Sequence, residues 1–250
     1  MSLDERIEYL EMKERHQKKL RPWYKKVWGV LLIILGILVL SSIIASSIYV
    51  WNQVQVIRTQ ESADFEAKEI AKITSAIDGR GESYTLGPKD AKVQIVVFSD
   101  FACPFCQQAA PVVRSLAKKY PEDVRFTFRN YFFHDNSIGL ALAANCAGEQ
   151  GRFWEMHDKI FERQDSYSAL NDDTVKEPMK ALAAELSLDS NKFNTCLDEK
   201  KYLYRLNDDF TDAEILGLQG TPTWFINRYK VTGFYPEENF INVIDGLLVK

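Results

Sequence analysis

Residues Val27 to Val50 form a run of 24 positions without one charged side chain. At 1.5 Å rise per residue, about 20 apolar residues in a helix span the hydrocarbon core of a bilayer. Trp23, Tyr24 and Trp28 stand at one end of the run, and Tyr49 and Trp51 at the other. Aromatic rings at both ends suit the two membrane interfaces. Between Lys13 and Lys26 there are seven basic residues and one acid, Glu14, whereas Trp51 to Ile70 holds only Arg58 and Lys68 as basic groups. The basic flank stays in the cytoplasm, so everything after Trp51 is expected outside. A cleaved signal peptide would carry an apolar stretch of about 7–15 residues after a short basic start. Here 26 residues precede a longer run, and only Ala45-Ser46-Ser47 offers a weak cleavage site. The sequence therefore predicts an uncleaved anchor, with residues 1–26 as a cytoplasmic basic tail and 27–50 as a transmembrane helix.

The remaining 200 positions fit one domain on a stalk. A net charge of −4 gives no reason to expect nucleic-acid binding, and neither repeats nor low-complexity tracts are visible. Leu3 to Leu20 is amphipathic and reads as a solvated helical tail. Residues 51–82 mix sparse apolar positions (Val54, Val56, Ile57, Phe65, Ile70, Ile73, Ile77) with polar ones, as a helical stalk would. Gly79, Gly81, Gly87 and Pro88 punctuate the chain, placing a boundary near Gly81–Tyr84 and the domain at 83–250.

Within that domain, Cys103-Pro104-Phe105-Cys106 decides the chemistry. It follows the apolar run Val93–Phe98, which reads as a strand buried on both faces, and it opens a helical pattern to Lys119. A thiol at a helix start faces the positive end of the macrodipole, which favours thiolate. Its partner lies one turn on, close enough to close a disulfide. Pro104 fits the first helical turn, Pro111 should kink the helix and Pro121 ends it. Val124–Asn130 alternates as a half-polar strand. Helical spacing then runs through Asn136–Ala147, Phe153–Arg163, Asp172–Leu186, Ser190–Glu199 and Tyr202–Leu216, with Asp172 and Asp189 as expected N-caps. Thr223–Asn227 and Lys230–Gly233 read as two short strands around an Asn-Arg turn, and Pro236 to Lys250 closes as an amphipathic helix.

Several separated motifs carry a resemblance. Phe98-Ser99-Asp100-Phe101-Ala102-Cys103-Pro104-Phe105-Cys106, Pro111, the stretch Cys146 to Asp158, and Gly220-Thr221-Pro222-Thr223-Trp224-Phe225-Ile226-Asn227 together resemble the DsbA-like thiol–disulfide oxidoreductases of the thioredoxin superfamily, especially their membrane-anchored branch. The resemblance covers Tyr84 to Lys250. It implies an α/β thioredoxin fold with a helical insertion at about 136–217, preceded by the one transmembrane helix. It implies protein thiol–disulfide exchange, no cofactor, reduced or misoxidised proteins as substrates, and a redox partner in the membrane. One position departs from it: relatives often carry a buried Glu six residues before the first cysteine, where this chain has Val97. Asp100 is nearer the cysteines, but the pattern does not show that it points inward.

The residues then take roles. Cys103 is the expected exchanging sulfur and Cys106 the resolving one, with Cys103 the more exposed. Pro104 and Phe105 tune the site. Phe105 brings no charge or donor where the strongest oxidants of the family have His, which predicts a milder oxidant; simple surface or substrate-groove packing is the equal alternative for this Phe. Thr221-Pro222 is, taken alone, an ordinary turn; the resemblance implies a cis bond that presents the Thr221 backbone to an extended substrate peptide and keeps metals off the thiols. Cys146 and Cys196 fall on helices of the insert, either as buried free thiols or as a disulfide, and the resemblance favours the bridge. No metal site is expected, because no second close cysteine pair exists and His16, His134 and His157 share no ligand spacing. His157 reads as packed structure, His134 as loop packing near the active-site face, and Phe153, Trp154 and Phe161 as core. Disulfide donation is the favoured direction. A reductase or isomerase fed by a membrane electron donor, and a non-catalytic anchored binding domain, are the alternatives.

Overall fold

The structure is a computed structural model and describes residues 2–19, 23–79 and 84–249. Arg21, Gly81 and Lys250, on which parts of the reading above fall, lie outside the described residues, as do the side chains of Lys18, Lys19, Trp23, Tyr24, Lys25 and Lys26. The chain divides into two units, Met1–Ala67 and Lys68–Lys250.

The first unit holds helix α1 (Leu3–Lys19) and the greater part of α2 (Trp23–Asp78). The Ser2 hydroxyl accepts the Glu5 N–H at 3.3 Å and the Ser2 N–H donates to Glu5 Oε2 at 2.8 Å, a reciprocal cap that starts α1. The apolar run and the stalk stretch as far as Asp78 lie on the one helix α2. Leu31, Ile33, Leu35, Leu38 and Leu40 are each more than half exposed. The helix is long and apolar enough to cross a membrane, and its exposed apolar surface is what such a span presents.

The second unit is built on a five-stranded sheet. Its elements are β1 (Tyr84–Leu86), β2 (Val93–Ser99), α3 (Pro104–Lys119), β3 (Val124–Asn130), α4 (Ser137–Gly148), α5 (Phe153–Glu162), α6 (Gln164–Tyr167), α7 (Lys176–Glu185), α8 (Ser190–Asp198), α9 (Leu203–Ile215), β4 (Thr223–Ile226), β5 (Tyr229–Thr232) and α10 (Glu237–Leu248). The strand order is β1-β3-β2-β4-β5. β2 and β3 pair in parallel, Val93 with Val124 through Ser99 with Asn130, and the other pairings are antiparallel. A right-handed crossover through α3 is what a parallel pair this close in sequence requires.

Alternation sends the two sides of β2 into different clusters. Val93, Ile95 and Val97 join Val124, Phe126 and Phe128 in the main core with Val113 and Leu116 of α3, Phe240 and Ile244 of α10, and apolar residues of α4, α5, α7 and α8. Val96 and Phe98 join Phe225, Ala213 of α9 and Ile77 from the end of α2. Arg129 is buried on that second side. Its guanidinium bonds Asp209 and Asp212 of α9, donates to the Ala76 carbonyl at 3.2 Å and lies 5.2 Å from the Phe98 ring centre.

Two local readings need correction. Strand β1 was not foreseen: it is three residues long, and only its pairing with Phe126–Phe128 makes it a strand. Helix α7 begins at Lys176, not at Asp172. The Asn171 side chain takes the N–H groups of Asp173 and Thr174 at 3.0 Å each, which holds a turn there. Asp172 instead accepts the Gly139 N–H at 2.7 Å, at the start of α4. Asp189 does cap α8, accepting the Lys192 N–H at 3.0 Å. Asn227 and Arg228 take φ of 43° and 76°, the paired positive angles that a two-residue hairpin turn demands.

Candidate active site

Strand β2 ends at Ser99, and Asp100–Ala102 turn the chain into α3. Cys103 is the N-cap, extended at φ −80° and ψ 125°, and its carbonyl accepts the N–H groups of Cys106 and Gln107 at 3.0 and 3.1 Å. Pro104 occupies the first helical position, where it has no N–H to leave unpaired. Cys106 follows one turn later, facing back toward the strand. Both thiols are unbonded, Cys103 6% exposed and Cys106 1%. Phe105 between them stands out at 58%.

The two sulfurs titrate in opposite directions. The Cys103 thiol is lowered to about 5, foremost by a hydrogen bond from the Cys106 thiol; burial opposes this, and the Thr221 hydroxyl and the N–H groups of Cys106 and Phe105 assist. The Cys106 thiol is pushed well up, first by burial and then by its neighbour Cys103, with the Ser99 and Thr221 hydroxyls pulling weakly the other way. As a thiol, Cys103 donates to the Thr221 carbonyl at 3.4 Å. Ionisation removes that donor, so the thiolate rests on the donors just named.

The Thr221–Pro222 peptide is cis and lies beside Cys103. Its loop is held by the Thr223 hydroxyl on the Gly220 carbonyl at 2.7 Å and by the Gly233 N–H on the Pro222 carbonyl at 2.7 Å. Cys146 of α4 and Cys196 of α8 are joined as a disulfide. Val97 is buried in the main core, so no acid stands at that place.

Three residues enter the site that the sequence did not assign there. Gln164 is buried and donates through Nε2 to the carbonyls of Phe101 and Cys103 at 2.8 and 3.0 Å, fixing the approach to α3 from the insert. Asp100 points inward. Its N–H donates to Cys106 Sγ at 3.4 Å, and its carboxylate is fully buried. His134, read as loop packing, closes on that carboxylate at 2.7 Å through Nδ1. An Asp three residues before the first cysteine was the one signal available; its partner 34 residues on was not legible. His157 is buried against Phe101, Phe128, Phe153 and Phe161, and burial lowers its pKa.

Among the described residues no cluster of three or more His, Cys, Asp or Glu side chains is assembled for a metal ion. A cavity of about 1160 Å³ opens beneath the other side of the sheet, lined by Tyr84, Gln94, Arg125, Arg205 and Arg228 among others. It includes neither cysteine of the pair.

Known proteins resemble parts of this chain. A Na(+)/H(+) antiporter NhaA 3 of Salinispora tropica is 35% identical over 152 residues, 60% of this chain and 22% of the antiporter. The chain thus spans about a fifth of the length of that curated relative, and the likeness carries no transport activity to it. Oxidised BdbD from Bacillus subtilis superposes with a TM-score of 0.61 at 24% identity, covering 67% of this chain and 94% of that one. Wolbachia pipientis alpha-DsbA1 gives 0.61 at 23%, covering 67% and 92%. Both likenesses speak to the fold. The family model described as Thioredoxin matches residues 80–246, which takes in the sheet, both thiols, the insert and the cis-proline loop. The chain belongs to the thioredoxin family, with the DsbA-like form of its fold.

Proposed function

We propose that this protein exchanges disulfides with other proteins outside the cytoplasmic membrane, donating them through Cys103 and Cys106. The observation that carries the reading is the split between the thiols: Cys103 at about 5, Cys106 pushed well up. A thiolate held at neutral pH stabilises the reduced site, so the disulfide passes readily to a substrate. The direction, Cys103 well below the ordinary thiol value and Cys106 above it, is the one that favours an oxidant.

In the donating direction a substrate thiolate attacks Cys103 Sγ. The Cys103–Cys106 bond breaks, and a mixed disulfide forms between substrate and Cys103. A second substrate thiolate attacks the substrate sulfur of that bond, Cys103 leaves as thiolate, and the substrate keeps the new disulfide. Cys106 resolves the mixed disulfide when exchange runs the other way. The Thr221 carbonyl, 3.4 Å from Cys103 Sγ, supports the reading that an extended substrate adds strand-like hydrogen bonds there. Exposed Phe105 offers it an apolar contact, and Pro104 holds the helix start. The basic flank before Val27 supports a cytoplasmic N-terminus and an extracytoplasmic domain. Re-oxidation falls to a membrane redox partner.

Equilibration with glutathione tests the direction. A potential of about −120 to −180 mV is expected, and one near −270 mV would turn the assignment to reduction. Cys103→Ser should abolish exchange and Cys106→Ser should accumulate mixed disulfides. Full activity in either variant would overturn the roles given to the two cysteines, whereas a parent protein inert in exchange, with a Cys103 that resists alkylation after reduction, would leave an anchored binding domain.

A further inference from the structure

Cys106 must act as a thiolate when it resolves a mixed disulfide, yet it is 1% exposed, and burial disfavours its charge. Apart from Cys103, the backbone contact recorded at its sulfur is the Asp100 N–H, at 3.4 Å. That amide sits in a turn pinned by its own side chain. Asp100 Oδ1 accepts the Ala102 N–H at 2.9 Å, and Oδ2 accepts the Phe133 N–H at 3.0 Å. The third tie is the ring of His134 at 2.7 Å. A carboxylate only accepts, so His134 Nδ1 carries the proton of this bond. The His134 backbone is held in turn: its N–H donates to the Ser137 hydroxyl at 3.0 Å, and the Ser137 N–H donates to the His134 carbonyl at 3.2 Å, at the start of α4.

Burying a carboxylate costs several kcal/mol unless donors surround it. A turn that only had to join β2 to α3 would not need one. We propose that Asp100 and His134 are positioning residues for Cys106: the His134 ring holds the Asp100 carboxylate, and the carboxylate holds the Asp100 N–H on Cys106 Sγ, where it stabilises the resolving thiolate. The inference rests on the exchange reading above. Loss of the ring loosens the turn and also leaves the carboxylate charge less compensated beside the sulfur. Both effects oppose ionisation of Cys106, so the sign of the outcome is fixed. His134 is 45% exposed at its side chain, so its truncation opens no cavity in the core.

The reduced full-length protein in detergent is mixed with excess oxidised glutathione, quenched with acid at intervals, and its glutathionylated form is followed by mass spectrometry. Cys103 thiolate attacks glutathione disulfide, one glutathione leaves as thiolate, and the mixed disulfide forms. Cys106 thiolate then attacks Cys103 Sγ, the Cys103–Cys106 bond forms, and the second glutathione leaves as thiolate. In His134→Ala the mixed disulfide should persist roughly three- to tenfold longer, the range of one hydrogen bond. Its formation rate and the Cys103 titration should stay as in the parent. His134→Gln, which keeps a side-chain donor, should restore resolution to within about twofold of the parent. Parent-like resolution in His134→Ala overturns the proposal. Equal slowing in His134→Ala and His134→Gln overturns it as well, since ring packing would then be the cause. If the parent forms no mixed disulfide at all, the exchange reading itself falls, a result seen before any variant is compared.

Discussion

Replacing Cys106 by alanine or by serine isolates the force that holds Cys103 ionised. The Cys106 hydrogen bond is the largest influence lowering Cys103 to about 5. A hydrogen bond to a charged group contributes roughly 1.5–3 kcal/mol, and 1.36 kcal/mol corresponds to one pKa unit. Cys106→Ala should therefore raise the Cys103 titration by about one to two units, to about 6–7. The Thr221 hydroxyl and the helix-start N–H groups remain, so the value stays under the ordinary 9.0. Cys106→Ser keeps a donor and should move it less. A thiol whose folded pKa is depressed adds stability that is complete above the unfolded pKa and is lost as pH falls through the folded one. For the reduced protein that window runs from about 9 down to about 5, and at pH 7 the contribution is on the order of 3 kcal/mol. Cys106→Ala should remove about 1–2 kcal/mol of it at that pH. The assay is the pH dependence of Cys103 alkylation and of thiolate absorbance in the reduced protein, with denaturant unfolding of the same samples at pH 5 and pH 8. A midpoint that stays at about 5 in Cys106→Ala would refute the assignment and leave the helix start and Thr221 as the whole cause.

Two further outcomes follow from the scaffold. The Cys146–Cys196 bond closes a loop of sequence separation 50, which in the chain-entropy account constrains the unfolded chain by about 4 kcal/mol. Cys146→Ala/Cys196→Ala should lower unfolding stability by an amount of that order while leaving Cys103 alkylation unchanged; parity with the parent in denaturant would contradict this. Arg129→Ala should cost about 3–5 kcal/mol, because it takes the guanidinium from the buried Asp209 carboxylate and from the Ala76 carbonyl. A loss under about 1 kcal/mol, the scale of an exposed ion pair, would show that water replaces the guanidinium there.

The parts legible in the sequence are those whose signal is local. Val93–Phe98 announced a strand by its apolar run, and the structure makes it the central strand of five. Asn227 and Arg228 marked a hairpin turn by position alone. The start of α7 was misjudged because Asp172 has two possible uses, a cap for its own helix or a partner for Gly139, and the choice depends on how α4 packs. Strand β1 had too few residues to show a period. The resemblance carried the disulfide pairing and the cis bond, which spacing alone left open. His134 and Gln164 could not be joined to the site from the chain, since their partners lie 34 to 63 residues away; Asp100 lies close to Cys106 in sequence, but only the fold shows that it points inward.

The amino-acid sequence by itself determined an uncharged helix of membrane length and two thiols one helical turn apart at the end of a strand. Period, charge and spacing are properties of neighbours along the chain, so no fold is needed to read them. The tertiary structure decided which sulfur ionises. The helix start alone favours a thiolate at Cys103, but its close donors include Thr221, 118 residues away, and the burial that silences Cys106 comes from the core closing over the helix. Hydrogen bonding and desolvation act over a few ångströms in space, whatever the distance along the chain.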